Sequence, residues 1–149
     1  MTRFITREIK EALIACLKDN LEPTQNGTVI QDVAGSTTYA FEKFPAARVL
    51  PNDVDLSTET NRSNQRTSTF TILVHIELEE KADSEEEAYN TMYDLQDIII
   101  NKLDSFDWVN DLNILKTQAT YGGYEILEMK TGLNLVFRID VDATYSHNV

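Results

Sequence analysis

The feature that most restricts the fold of this chain is a strict alternation of apolar and other side chains between residues 69 and 79. The apolar series comprises Phe70, Ile72, Val74, Ile76 and Leu78. A period of two residues is the repeat of a β-strand, and it directs one series of side chains to a single face of a sheet. We therefore expect a β-sheet in which this strand faces the core.

A second alternation at residues 133–145 predicts another long strand near the end of the chain. It follows a strand expected at residues 124–129, and Lys130-Thr131-Gly132 is expected to form the turn between the two. Two such segments joined by a short turn that contains glycine predict an antiparallel hairpin. A further strand is expected at residues 113–121, after which Gly122-Gly123 should break or bend the chain.

Two shorter strands are expected earlier in the chain, at residues 29–33 and 46–50. The second of these lies between Pro45 and Pro51. Because proline cannot donate a hydrogen bond to a neighbouring strand, we expect this strand near an edge of the sheet.

Two segments, residues 4–21 and 84–104, show the three- and four-residue spacing of amphipathic helices. Ser84 and Glu87 have the spacing of an N-terminal capping box, which predicts a helix start. The acidic residues that follow Ser84 suit the positive end of a helix dipole. The expected buried side chains of the second helix are Ala88, Met92, Leu95, Ile98, Ile99 and Leu103, with Trp108 and Leu112 covering its end.

Residues 57–69 contain no apolar side chain, no glycine and no proline. Long segments of this kind are uncommon inside a compact domain and are commonly functional or disordered. The sequence therefore predicts an exposed polar arm or hairpin loop at residues 57–69.

These elements together predict an α+β fold, in which two helices pack on one face of a mainly antiparallel β-sheet. A chain of 149 residues is long enough to bury a substantial core. No linker or internal repeat interrupts it. We therefore expect residues 1–149 to form one domain.

The chain carries 25 Asp and Glu residues against 13 Lys and Arg residues, for a formal net charge of -12. Binding to phosphates requires clustered basic side chains, so this balance disfavours nucleic-acid binding and attachment to an anionic membrane. Cys16 is the one cysteine, which rules out a disulfide within the chain and favours folding in a reducing cytoplasm. It lies on the apolar stripe of the first helix, where a buried thiol is expected.

The sequence offers few groups for catalysis or metal binding. The two histidines are His75, on the polar side of a strand, and His147, close to the C-terminus, with no spacing typical of a zinc site. Asp140 and Asp142 alternate on one strand, where paired carboxylates could perform acid–base work but more commonly form its solvated side. We expect no enzyme activity, metal or cofactor.

The order of these elements resembles that of the tail terminator, or tail-completion, proteins of tailed bacteriophages. The resemblance covers nearly the whole chain, from the N-terminal helix through the polar arm to the closing hairpin. It rests on element order, on the helix of the Ile9, Leu13 and Leu17 type, and on two sequence segments. These segments are Lys43-Phe44-Pro45-Ala46-Ala47-Arg48-Val49 and Phe137-Arg138-Ile139-Asp140-Val141.

This resemblance implies a virion structural protein, assembled in the host cytoplasm, that forms a ring, expected to be a hexamer, on the tail tube. Such a ring ends tube polymerisation and joins the tail tube protein to the head–tail connector, while DNA passes through without specific binding. Acidic walls would repel DNA phosphates. Close packing of such acidic subunits needs local basic partners, for which the candidates are Arg48, Arg62, Arg66 and Arg138.

Three other functions remain open from the sequence. One is another neck or head-closure protein of a phage. A second is a small-ligand-binding regulatory module, because many unrelated functions share α+β folds. The third is a hydrolase or nuclease that uses Asp140, Asp142 and His147.

Overall fold

The computed structural model describes residues 4–52, 65–79, 83–105, 107–109, 112, 114–129 and 132–146. Within these residues the chain forms two α-helices and five β-strands, with a short 3-10 helix at Asp107–Val109. The elements are α1 (Ile5–Asp19), β1 (Asp32–Ala34), β2 (Ala46–Pro51), β3 (Gln65–Glu77), α2 (Ser84–Leu103), β4 (Ile114–Met129) and β5 (Gly132–Ser146).

The five strands form one mixed sheet in the order β1-β2-β3-β5-β4. Three neighbouring pairs are antiparallel, whereas β1 and β2 run parallel. Strands β4 and β5 form the predicted hairpin, in which Met129 lies opposite Gly132. The α+β prediction is confirmed.

Both helices pack on the same face of the sheet. On that face Val74 of β3 lies between Ala47 of β2 and Phe137 of β5. Burial of one such large apolar side chain contributes roughly 1.5–3 kcal/mol. The largest fully buried side chains come from both helices and from β2, β3 and β5, and they include Ile9, Leu13, Leu17, Val49, Ile72, Leu95, Ile99, Leu103, Phe137 and Ile139.

The C-terminal end of α2 is fixed through one carbonyl oxygen. The indole N–H of Trp108 and the hydroxyl of Thr117 each donate a 2.8 Å hydrogen bond to the carbonyl of Leu103. Carbonyls in the last turn of a helix have no partner within the helix, so these bonds satisfy a group that would otherwise be buried without one. As predicted, Trp108 covers this end, and Leu112 packs there half-buried.

Of the two alternatives expected at Gly122-Gly123, a break or a bend, the break is wrong, because β4 continues through it as one strand of 16 residues. The irregularity is a β-bulge: Tyr121 lies opposite Ile139 and Tyr124 opposite Phe137, which leaves one extra residue in β4. Gly123 accommodates the bulge with φ = +99°, in the left-handed region that favours glycine. The two strands predicted around the glycines are therefore a single bulged edge strand.

The predicted polar arm at residues 57–69 is also partly wrong, because β3 begins at Gln65. Polar residues form this part of the strand by hydrogen bonding across it: the Oγ1 atoms of Thr67 and Thr144 are 2.9 Å apart. On the helix-bearing face, Ser68 Oγ lies 3.1 Å from Thr6 Oγ1 of α1. The remainder of the predicted arm, residues 57–64, lies outside the described residues.

The predicted capping box does not form. Asp83, not Ser84, precedes the first residue of α2, and Ser84 Oγ instead accepts a 2.7 Å hydrogen bond from the backbone N–H of Glu79. Ser84 is therefore the first helical residue, and its hydroxyl ties the helix to the chain that leaves β3. The bounds of β1 differ too: it covers Asp32–Ala34, not residues 29–33.

Replacing Gly123 with alanine should lower the free energy of unfolding by about 1–2 kcal/mol, because a Cβ atom is strained at this positive φ. Chemical denaturation measures the loss. Gly35→Ala is the matched control, since a Cβ there would make an ordinary 3.6 Å contact with Ile14. Equal effects of the two substitutions would contradict the account of the bulge.

Candidate functional site

A loop at residues 35–45 covers one corner of the outer face of the sheet, which is the face opposite the helices. Phe41 of this loop is buried, and the Arg48 guanidinium lies 4.4 Å from the centre of its ring. Arg48 also donates two 2.7 Å hydrogen bonds, from Nη1 to the carbonyl of Ser36 and from Nη2 to that of Tyr39. Arg48 therefore holds the loop onto the sheet through its flat, five-donor head group.

His75 lies on the polar face of β3, as expected, but beneath this loop, where it is buried. Its ring centre is 5.7 Å from that of Phe41. His75 Nε2 has no hydrogen-bond partner among the described residues. Burial, and then the positive charge of Arg48, lower the pKa of His75 to about 4, so the ring is neutral at pH 7.

Asp140 lies in the middle of the outer face, where its carboxylate accepts hydrogen bonds from neighbouring side chains. Its Oδ1 atom accepts hydrogen bonds from Asn52 Nδ2 at 3.1 Å, Thr71 Oγ1 at 3.1 Å and Arg138 Nε at 2.9 Å. These donors come from the end of β2 and from β3 and β5. The carboxylate thereby links three neighbouring segments of the sheet.

Asp142 has a similar arrangement, since its Oδ1 atom accepts a 2.7 Å hydrogen bond from Thr69 Oγ1. The two carboxylates lie two residues apart on the same face of β5, as expected from the sequence. His147, the third group of the hydrolase hypothesis, lies outside the described residues. The described geometry thus accounts for Asp140 and Asp142 as cross-strand hydrogen-bond acceptors.

The four candidate interface arginines do not form one cluster in the structure. Arg48 is buried within its own chain, and Arg138 pairs with Asp140 two residues along its strand. Arg66 is exposed near the start of β3, and Arg62 lies outside the described residues. Of the described three, Arg66 and Arg138 are exposed and can still reach a partner, so the interface assignment stays a prediction.

The sequence interpretation missed a cluster of tyrosines between α2 and β4, near the hairpin end of the sheet, where β4 turns into β5. The rings of Tyr89 and Tyr124 meet edge to face with centres 5.6 Å apart. Burial, followed by the neighbouring hydroxyls of Tyr124 and Tyr93, raises the pKa of Tyr121. Tyr93 is 55% exposed, which is high for so large a ring.

Exposed aliphatic side chains extend this tyrosine cluster to the tip of the hairpin. Ile126 and Leu133 lie on the same face of the sheet as Tyr124, and Leu133 is 47% exposed, whereas Leu127 and Met129 are exposed on the opposite face at the tip. Strand β4 is at one edge of the described sheet, so its outer backbone groups have no neighbouring strand there. An open edge beside exposed aromatic and aliphatic side chains is typical of a protein–protein contact.

Only the spacing of tyrosines within single segments could have pointed to this surface from the sequence. Tyr89 and Tyr93 are four residues apart on a helix, which places them on one side. Tyr121 and Tyr124 flank the two glycines. The strand register across the bulge brings the β4 tyrosines close to the α2 tyrosines. Neither the helix segment nor the strand segment predicts that register by itself.

The remaining reactive and acidic groups form no assembled centre in the part of the chain that the structure describes. Burial raises the pKa of the Cys16 thiol to about 11, as expected for a residue on the apolar stripe of α1. Glu22, Asp94 and Asp97 line a shallow cleft, in which the backbone N–H of Gln25 donates a 3.2 Å hydrogen bond to Asp94. No group of three or more His, Cys, Asp or Glu residues within the described ranges could hold a metal ion.

No protein-family model matches this chain, and no curated protein is significantly similar to it. Neither described helix has the length and apolar character needed to cross a membrane.

The stability of the protein should fall by about 2 kcal/mol between pH 7 and pH 5 on account of His75. The unfolded chain takes up a proton near pH 6.5, whereas the folded ring stays neutral down to about pH 4, so protons favour the unfolded state between these values. Urea denaturation at each pH, compared between the native protein and His75→Phe, isolates this contribution.

Val29→Phe serves as the control, because it places phenylalanine at an exposed position and removes no titratable group, so it should keep the native pH dependence. If His75→Phe also kept it, His75 could not be the buried neutral group described above.

Proposed function

We propose that this chain is a structural protein of a tailed-phage virion, a tail terminator that forms a ring at the end of the tail tube. The observation that carries the proposal is the hairpin end, where an open edge strand lies beside exposed tyrosine and aliphatic side chains. Surfaces of this composition are buried in protein assemblies, and an edge strand gives the contact a defined direction. A subunit of a ring needs such a surface.

The fold supports the same proposal. Two helices cover one face of a five-stranded sheet in the element order that resembles tail terminators. The long central strands β3 and β5 give a stiff frame, because 13 consecutive residues of β3 pair with β5. A ring that ends tube growth requires subunits whose shape does not change as they pack.

The negative charge supports the passage of DNA through such a ring. A net charge of -12 on each chain repels phosphates, and repulsion from the wall of a channel keeps a passing genome from binding. The proposed partners are therefore other copies of this chain, the tail tube protein and the head–tail connector. Its proposed location is the virion neck, after assembly in the host cytoplasm.

Among the candidate arginines, Arg66 and Arg138 suit a contact between subunits or with the tube because they are exposed. Arg48 has a different role, since its guanidinium is hydrogen-bonded to the 35–45 loop of its own chain. Replacing Arg48 would therefore affect ring formation through stability and not through a lost contact.

Electron microscopy of the purified protein, alone and mixed with assembled tail tubes, tests the proposed function. We expect rings, with sixfold symmetry if the resemblance holds, and one ring at a tube end. Tubes assembled in the presence of the protein should be shorter than tubes assembled without it, because capped ends cannot grow.

A protein that stays monomeric at high concentration and leaves tube ends bare would contradict this proposal. Binding to isolated head connectors but not to tubes would instead indicate a head-closure protein.

A further inference from the structure

The hairpin end carries a concentration of acidic side chains around its apolar surface. Glu85, Glu86 and Glu87 occupy the first turn of α2, and Glu125 and Glu128 lie exposed on β4. Glu85 is fixed there by a 2.8 Å hydrogen bond from the hydroxyl of Tyr89. A partner for this surface must offer apolar side chains and positive charge.

The opposite end of the same sheet has those properties. This far end is where β3 and β4 begin and β5 finishes, and Tyr145 lies at its centre, opposite Arg66 of β3 and Ile114 of β4. Its hydroxyl is 3.4 Å from Thr6 Oγ1 at the start of α1. The start of α1 and the starts of both strands therefore meet around one residue.

The exposed side chains next to Tyr145 include apolar and basic ones, while Glu8 and Glu11 lie on the first turns of α1 nearby. Phe4 is 70% exposed and Leu115 is 50% exposed, so both are available to a partner at this end. Arg7, Arg66 and Lys116 are exposed beside them. Arg7 pairs with Glu11 at 3.3 Å on the helix surface, but so exposed a pair is weak and can be exchanged for a new partner.

We propose that the hairpin end of one copy binds the far end of a second copy, so that the subunits join head to tail. Tyr93, Tyr124, Ile126 and Leu133 supply the apolar centre on one side, and Phe4 and Leu115 supply it on the other. The glutamates and the basic residues form complementary rims. The inference rests on the proposed function, and names the contact between subunits of that ring.

The geometry makes this contact directional. The two surfaces lie at opposite ends of the same strands, so binding one leaves the other free for a further copy. Contacts between two different surfaces build closed rings when the rotation between neighbours closes, and open filaments when it does not. A contact between two identical hairpin ends would instead stop at a dimer and would bring like charges together.

Two charge-introducing variants test the contact, each placed on an exposed side chain. Ile126→Lys brings a positive charge to the basic far end of the neighbour, and Leu115→Glu brings a negative charge to the acidic hairpin end. Each should weaken self-association at least tenfold, measured by sedimentation. Val29→Lys is the matched control because Val29 is 41% exposed and lies outside both surfaces, so it should associate like the native chain.

Mixing the two variants gives the sharpest result. The intact hairpin end of Leu115→Glu can bind the intact far end of Ile126→Lys, and the two altered surfaces carry opposite charges at the same contact, so mixing should restore the large species that neither variant forms alone. Dimers of Leu115→Glu alone would show that two hairpin ends bind each other. Native-like association of both variants would likewise overturn the inference.

The outcomes separate this inference from the function on which it rests. If native rings cap tail tubes and both variants do so equally well, the contact is wrong while the function stands. If the chain associates head to tail but never binds a tube end, the function is wrong while the contact stands. A native chain that is monomeric with and without tubes overturns both.

Discussion

The antiparallel pairing of β3 with β5 is the interaction on which the rest of the structure depends. The two longest alternating segments of the chain meet along it from Gln65 and Ser146 to Glu77 and Asn134. Their helix-facing side chains form the floor of the core, onto which α1 and α2 pack. Because burial of apolar area is the largest favourable contribution to folding, this pairing determines where every other element can lie.

The same pairing separates the roles of the two faces and the two ends of the sheet. One face is closed by helices, while the outer face carries cross-strand hydrogen bonds to Asp140 and Asp142 and the loop held by Arg48. The side chains that remain available to a partner lie at the ends of the strands. There the hairpin presents tyrosines and glutamates, and the opposite end presents Phe4, Leu115 and basic side chains.

The sequence was most informative where periodicity and burial coincide. The alternation at residues 69–79 and the three- and four-residue spacing of Ile9, Leu13 and Leu17 predicted a strand and a helix that the structure contains. Failures occurred where tertiary contacts outweigh local preference. Polar residues 65–69 extend β3 through bonds to β5 and α1, and the double glycine forms a bulge within one strand where two strands were expected.

The candidate site was less predictable, for a physical reason. The alternation places His75 on the polar face of its strand but does not show that the 35–45 loop covers it. Similarly, the sequence does not show that Arg48 is bound by the carbonyls of Ser36 and Tyr39 instead of lying free on the surface. The tyrosine cluster depends on how β4 pairs with β5 and packs beneath α2. The spacing of residues within α2 or within β4 does not determine this arrangement.

Cysteine cross-linking tests the central claim, head-to-tail assembly into a ring, most directly. A chain carrying Ile126→Cys and Leu115→Cys joins a residue of each surface to its neighbour under mild oxidation, while Cys16 stays inert because it is 1% exposed. The account predicts a ladder of covalent oligomers that ends at one closed species, which runs as a hexamer if the resemblance holds. It also predicts no cross-linked dimer from either single-cysteine variant alone. Dimers from Ile126→Cys alone, or no cross-links from the double variant, would contradict it.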